Sequence, residues 1–348
     1  MRVLCVGGIQ YKNAASRFYD VTQKIMNGFI REGHTVLYFS DRDVSRANNL
    51  FRSRKMGVLR CNKEFVKVVE SFMPELIVFK HADVISPEAI NFIKESYPLM
   101  KMVQLNVDAL FNPDNVNRIR SKSGILDATF VTTAGNALEK IKVNDKPIYF
   151  IPNPVDASIE TGRSFEEVDL SVDAFFAMGG TFDGDFRNDY LKQLAADLPQ
   201  CSIRLFVSSL GYGIRGAAYY STLADSKCGL NLSRKAESGR EALPEDLYLY
   251  SSDRIAQYVG NGLLTFTDKD FSLNKLFTED EMVFYSGYED LREKLKYYLD
   301  NPKERQRIAK NGWKKAHRAY NERQCAKFIL EAAFGDLNST FEWDTSPV

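Results

Sequence analysis

Three groups of residues in this chain carry types and spacings that could do chemistry on an anionic substrate. The first is Ser251-Ser252-Asp253-Arg254, with Gln257 one turn on and glycine stops at Gly260 and Gly262. Serine and aspartate are strong N-cap residues, and Ile255, Tyr258 and Val259 form an apolar helical stripe, so the run reads as a capped helix start. Such a start presents unpaired backbone N–H groups and a partial positive charge, and phosphate suits it. Arg254, one residue inside, adds a full charge. The second group is Gly179-Gly180-Thr181 leading to Arg187. A glycine-rich loop between strand and helix lets backbone approach a ligand, and Arg187 could pair with a diphosphate or form a surface ion pair. The third is His81 and Asp108, each at the end of a predicted strand. Either could serve as a general base; equally, Asp108 could cap the helix that begins near Asn112, and His81 could be a hydrogen-bonded loop residue.

The elements that must position these residues alternate between period-2 and period-3.6 patterns. Arg2–Gly7, His34–Ser40, Glu75–Phe79, Lys101–Asn106, Asp127–Thr132 and Pro147–Ile151 read as buried strands. Helical spacing lies between them at 16–31, 63–71, 87–95, after Asn112-Pro113 and at 137–141. The rhythm resumes with strands at Asp173–Gly179, Ser202–Val207, Cys228–Ser233 and through Phe266, and with helices at 219–225, 289–299, 302–320 and 323–334. Alternating strands and helices predict parallel sheets, whose ligands lie beyond the carboxyl ends of the strands. The turn after the first strand lacks G-x-G-x-x-G and is too long for the dinucleotide fingerprint, which argues against a nicotinamide cofactor. A polar loop of about sixteen residues, Arg234–Leu249, leads into the Ser251 helix; loops of that length are usually functional.

The chain's 348 residues, 44% hydrophobic, can bury a full core and favour two α/β domains. No run of about 18 apolar residues offers a membrane span, and the N-terminus reads as a first strand rather than a signal peptide. Five scattered cysteines without C-x-x-C spacing suit a reducing cytoplasm. The zero net charge hides an asymmetry. Residues 1–163 carry 23 Lys+Arg against 17 Asp+Glu (+6), leaving 23 against 29 (−6) in the rest. A basic N-terminal half suits an anionic acceptor or peripheral contact with the inner membrane face, and scattered solvated charge is an equal reading. The histidines stand far apart, and Asp183-Gly-Asp185 and Asp41-Arg-Asp43 lack the strand context of a metal-binding D-x-D, so no metal is expected.

The run Asp253–Leu264, followed by Leu276-Phe277, Glu281–Tyr285, Tyr288–Leu291, Tyr297-Tyr-Leu and Arg307–Trp313, resembles the C-terminal domain of the group 1-like GT-B glycosyltransferases of the spore-maturation, capsule and lipopolysaccharide type. The resemblance is specific over about residues 225–330. It implies two Rossmann-like doubly wound parallel-sheet domains facing a central cleft. Residues 1–156 would form the acceptor side, 157–170 a surface linker and 171–322 the nucleotide-sugar domain. Residues 323–348 would form a helix crossing back and a loose tail. Phe150-Ile-Pro-Asn-Pro-Val-Asp156 resembles the family's I-P-N-G-V-D hinge, with proline in place of glycine. The donor site implied comprises Gly180, Thr181, Arg187, Ser208, Arg234, Asp253, Arg254 and Gln257, with Asp108 and His81 as catalytic candidates. The activity implied is metal-independent transfer of a sugar from a nucleotide-diphosphate donor, itself a substrate with no further cofactor, to a hydroxyl of a glycan or glycolipid. Two departures stand out. Leu105-Asn-Val-Asp108 lacks the tryptophan of the family's W-x-x-D-like segment, and E-x7-E is absent, with Leu249 and Gln257 at its two positions. That loss motivates a silent sugar-nucleotide or glycan-binding protein as the alternative; a nucleotide-sugar epimerase would want a richer set of cleft carboxylates and histidines.

Overall fold

The computed structural model describes residues 1–9, 11, 16–182, 184–237 and 240–348, with only the backbone at Glu237 and Arg240. The chain forms two compact units, Met1–Pro154 with Asn321–Val348, and Val155–Tyr320.

In the first unit, β1 (Arg2–Val6), α1 (Val21–Arg31), β2 (Thr35–Phe39), α2 (Asp41–Ala47), α3 (Val58–Phe72) and β3 (Leu76–Lys80) are followed by α4 (Pro87–Ser96), β4 (Lys101–Asn106), α5 (Pro113–Ser123), β5 (Ala128–Val131) and β6 (Ile148–Phe150). The six strands pair in parallel in the order β2-β1-β3-β4-β5-β6. All five residues of β3 are buried, as a strand covered on both faces requires. Three helices differ from their sequence expectation, among them α3, which starts at Val58 rather than residue 63. α1 starts at Val21 rather than Ser16, because Asp20 caps it by accepting from Thr22 N. α2 is an addition that follows β2 directly, with Asp41 and Asp43 in its first turn.

The C-terminal helix, Glu322–Phe334, lies against α1 so closely that a Cβ on Gly28 would come within 2.1 Å of the Glu322 carbonyl. The segment after it is not a loose tail. Trp343 is buried against Phe328 (ring centroids 5.5 Å apart), and Val348 N donates to Ile148 O at 3.0 Å. Aromatic burial outweighs the disorder that a polar, proline-containing terminus suggests.

The second unit contains β7 (Val172–Met178), α6 (Phe186–Asp197), β8 (Ile203–Val207), α7 (Gly216–Ala224), β9 (Ser226–Asn231), the antiparallel pair β10 (Ala236–Glu237) and β11 (Arg240–Glu241), and α8 (Pro244–Leu247). Then come α9 (Asp253–Gly260), β12 (Leu264–Asp268), β13 (Val283–Tyr285), α10 (Gly287–Asp300) and α11 (Pro302–Ala319). Its five-stranded parallel sheet runs β13-β12-β9-β7-β8. The described part of the 234–249 loop thus holds an antiparallel strand pair and one helical turn. Gly262, at φ +78°, carries the chain out of α9 as Gly262 N bonds Val259 O at 3.0 Å.

The segment 157–170 lies largely at the surface, as expected, but it is anchored to the unit rather than loose. Phe165 packs edge-on against Trp313 (5.6 Å), Gly162 N and Ser164 N bond Asn261, and the buried Glu160 accepts from Tyr220 at 2.7 Å. Ile159, Glu160, Ser164 and Phe165 are buried while most of the other polar residues stay exposed, so composition alone does not show that the segment is anchored.

Both sheets reverse direction once. In the first unit the reversal falls between β1 and β3, in the second between β7 and β9. The loops after those strands are where a doubly wound sheet binds ligands.

Candidate functional site

At the second unit's reversal, α9 delivers its N-terminus to the end of β9. Ser252 occupies the N-cap position yet does not cap: its Oγ donates to Asn231 Oδ1 at 2.8 Å, at the end of β9. Asn231 in turn donates to Thr267 at 3.1 Å. A good cap residue is diverted into fixing the strand ends, so its side chain leaves the α9 amides to another acceptor.

Arg254 lies across the same strand end. Its Nη2 donates to Leu232 O (3.0 Å) and Ser233 Oγ (3.4 Å), and its guanidinium lies 5.3 Å over the Phe176 ring. Its Nε is buried without a hydrogen-bond partner among the described residues. Arg187 and Arg234 stand near enough to be felt. Burial chiefly lowers the Arg187 pKa; Asp185 opposes this, and the charges of Arg254 and Arg234 add to the lowering. The charges of Arg254 and of Arg234, three residues past β9, thus act on Arg187 in the region where β7 and β9 end. Like charges held together with an unmet donor are costly unless an anion joins them.

Arg187 differs from expectation in its availability. It is buried at the first turn of α6, where Nε donates to Asp185 Oδ1 at 2.8 Å and Nη2 to Asp185 Oδ2 at 2.5 Å and Gly180 O at 3.1 Å. Burial works against the Asp185 charge, but Arg187 holds its carboxyl below the usual range. Arg187 therefore braces the Gly180 loop instead of reaching out as a surface pair. Thr181 joins the brace, donating to Asp185 Oδ2 at 3.1 Å, and its N–H bonds Ser209 Oγ at 3.3 Å.

Gln257 also departs from its expected role. It is buried, and its Oε1 accepts from Tyr219 Oη at 2.6 Å, which ties α9 to α7. Ser208 opens the short 3-10 turn after β8, and Asp253 is the half-buried first residue of α9. A cavity of about 510 Å³ is lined by Phe182, Phe186, Lys235, Glu241, Leu247 and Asp270. A second, of about 430 Å³, is lined by Thr181, Phe182, Asn188, Ser209 and Tyr212. Both are of ligand size. Lys235 is spent on Asp268 (2.7 Å) and Asp270 (2.5 Å). Lys12, Asp183 and Ser238 lie outside the described residues, as do the side chains of Glu237 and Arg240.

In the first unit, His81 and Asp108 do come together, His81 Nε2 lying 3.8 Å from Asp108 Oδ2. His81 sits at φ +59° and Ala82 at φ +42°, a left-handed pair of non-glycine residues at the end of β3. Such backbone is strained and needs support. Lys122 of α5, buried, donates to His81 O at 2.9 Å and to Ala82 O. Four residues earlier on the helix, Arg118 donates to Asp108 Oδ2 at 2.7 Å. Asn115 completes the set, bonding the Asp108 and Ala109 carbonyls at 2.9 and 3.0 Å. One helix face thus holds both candidates.

Burial, then the charges of Lys80, Arg118, Arg42 and Lys122, pushes the His81 pKa well below its usual range, so its ring is neutral near pH 7. Asp108, half-exposed at 54% of its side chain, is the accessible member. Lys80 is buried against Asp20 at 3.3 Å.

Sequence reasoning missed Arg118, Lys122 and Asn115. The available signal was α5 itself: Pro-Asp-Asn-Val-Asn-Arg-Ile-Arg-Ser-Lys-Ser has two aliphatic residues, too few for a helix covering a sheet, so polar side chains must occupy its buried face.

The fold is that of the GT-B glycosyltransferases. The chain superposes on sucrose-phosphate synthase from Thermosynechococcus elongatus with a TM-score of 0.62, covering 96% of this chain and 98% of that one at 9% identity. Anabaena HepE, solved with UDP-glucose, gives 0.60 over 96% and 100% at 11% identity. A glycosyltransferase from Rickettsia africae gives 0.59 over 97% and 99% at 12%. Residues 187–331, which include the Arg187 and Arg254 helices, match the family described as glycosyl transferase-like. No curated protein matches the sequence.

Proposed function

We propose that the chain transfers a sugar from a nucleotide-diphosphate donor to a hydroxyl of a glycan or lipid-linked acceptor. The observation that carries this reading is Arg254, with a buried Nε that has no partner among the described residues, at the start of α9 that Ser252 leaves uncapped. Donor chemistry needs that arrangement: breaking the bond to the anomeric carbon leaves negative charge on the departing diphosphate, and fixed guanidinium and amide donors stabilise it. Arg254, with its unmet Nε, is the direct ligand, while Arg187 positions the Gly180 loop through Asp185. The flanking cavities suit the nucleoside and sugar. With cations already supplied by the protein, transfer proceeds without a metal.

In the first unit, Asp108 is the base for the acceptor hydroxyl, oriented by Arg118, and the neutral His81 ring serves as a hydrogen-bonding partner. HepE was solved with UDP-glucose, which makes uridine sugars the first donors to try. The experiment is release of nucleoside diphosphate from a panel of nucleotide sugars, with simple glycans and lipid-linked sugars as acceptors, with and without chelator. Turnover that survives chelator and is lost in Asp108→Asn supports the reading. Nucleotide binding without turnover on any pair favours the silent-binder alternative that the missing E-x7-E motivates.

A further inference from the structure

The segment joining α2 to α3 in the first unit carries four large apolar side chains on its surface within ten residues. Leu50 is 99% exposed, Phe51 75%, Met56 61% and Leu59 81%. Single exposed apolar residues are ordinary; a cluster of four is a patch that wants a non-aqueous partner. The same stretch, residues 42–60, holds six basic residues, Arg42, Arg46, Arg52, Arg54, Lys55 and Arg60, against one acid, Asp43, a balance of +5. Arg42 and Arg54 share Asp83, at 2.9 and 3.0 Å, and Arg46 pairs with Asp43 at 3.2 Å. Arg52 and Lys55 have no ion-pair partner among the described residues and are exposed. A cavity of about 1040 Å³ lies beside the apolar tip, lined among others by Arg46, Arg52, Arg60, Asn49 and Phe51.

We infer that this segment docks the chain peripherally on an anionic lipid bilayer. Leu50, Phe51, Met56 and Leu59 would enter the headgroup–acyl boundary while the surrounding arginines and Lys55 stay at phosphate level. That is the arrangement of interfacial anchors, where buried apolar area and attraction to anionic lipid act together. The Arg-lined cavity has room for a headgroup phosphate. Two other occupants fit less well. A second copy of the chain would set one +5 surface against another across a two-fold interface. Single-stranded nucleic acid needs a row of aromatic platforms, whereas three of the four exposed side chains are not aromatic. The inference rests on exposure and charge, and stands apart from the transferase reading.

The test is flotation of the full chain with phosphatidylcholine vesicles, with and without phosphatidylglycerol. Binding is expected only to the phosphatidylglycerol vesicles, and it should weaken as salt approaches about 1 M, where the screening length falls to about 3 Å. Arg52→Ala with Lys55→Ala should weaken it roughly fivefold per charge removed. Leu50→Ser with Phe51→Ser should weaken it by about tenfold or more. All these side chains are exposed, so both double variants should keep the parent melting temperature. The inference is overturned by absence of vesicle binding, by equal binding to pure phosphatidylcholine, by binding that neither variant changes, or by capture on heparin or RNA without vesicle binding.

Discussion

The two units have the same kind of sheet, reversed at one point, and use cations there in opposite ways. At the β7/β9 reversal Arg187 is spent on Asp185, but Arg254, whose charge Arg187 feels, keeps a buried donor without a partner among the described residues. At the β1/β3 reversal the cations are spent internally: Lys80 on Asp20, Lys122 on the His81 and Ala82 carbonyls, Arg118 on Asp108. The first arrangement calls for an outside anion. The second holds a carboxylate and a neutral imidazole in place. Fold alone does not separate the roles; the fate of each guanidinium and ammonium does.

The brace in the second unit offers the largest effect. Asp185→Ala leaves the buried Arg187 charge without its carboxylate, and loss of one partner of a buried pair costs about 3–5 kcal/mol. Chemical denaturation should show a fall of that size and the loss of nucleotide binding with it. Removing Arg254, which makes no ion pair among the described residues, should behave differently. Arg254→Ala should leave stability within about 1 kcal/mol while weakening nucleoside diphosphate binding by about 1.5–3 kcal/mol, the range for hydrogen bonds to charged groups. Arg254→Lys should recover only part of it, because an ammonium lacks the planar fork. Equal stability losses in Asp185→Ala and Arg254→Ala would erase the distinction between brace and ligand.

In the first unit the cations should show as stability. Lys122→Met strands two carbonyls of the left-handed His81–Ala82 turn and should cost about 1–3 kcal/mol, together with a lower turnover number, while nucleotide affinity stays at the parent value. The pH dependence has a definite sign. Burial holds Lys122 down to about 8 from an ordinary 10.5, so between those values the unfolded chain binds more protons and stability rises with pH. Lys122→Met should lack that alkaline rise in thermal melts across the window.

The smallest effect belongs to His81. Its pKa is depressed, so the penalty for charging it is absent above about 6.5 and grows as pH falls below that value. His81→Asn should flatten the acid limb of the stability curve.

Much of this was legible in the sequence, and the failures share one cause. Apolar periodicity located both sheets, and the Ser251–Asp253 cap signal located α9 and Arg254, because those patterns are local. Partner choice is not. Nothing in Asp183-Gly-Asp185-Phe-Arg187 says that the arginine folds back on Asp185, and Gln257 reads as a ligand until Tyr219, 38 residues away, takes its oxygen. The segment 157–170 reads as solvated because most of its polar residues are exposed, and the burial of Glu160, Ser164 and Phe165 depends on partners far away in sequence. Arg118 and Lys122 are legible only from the scarcity of apolar residues in α5, which leaves polar side chains to fill its buried face.

The most direct test is calorimetric titration of a uridine nucleotide, and of other nucleoside diphosphates if uridine fails, into the full chain and its Arg254→Ala and Asp108→Asn variants. The predicted result is binding that weakens by roughly tenfold to a hundredfold in Arg254→Ala and is unchanged in Asp108→Asn. Unchanged affinity in Arg254→Ala, with loss in Asp108→Asn, would put the anion site in the first unit and contradict the division of roles described here.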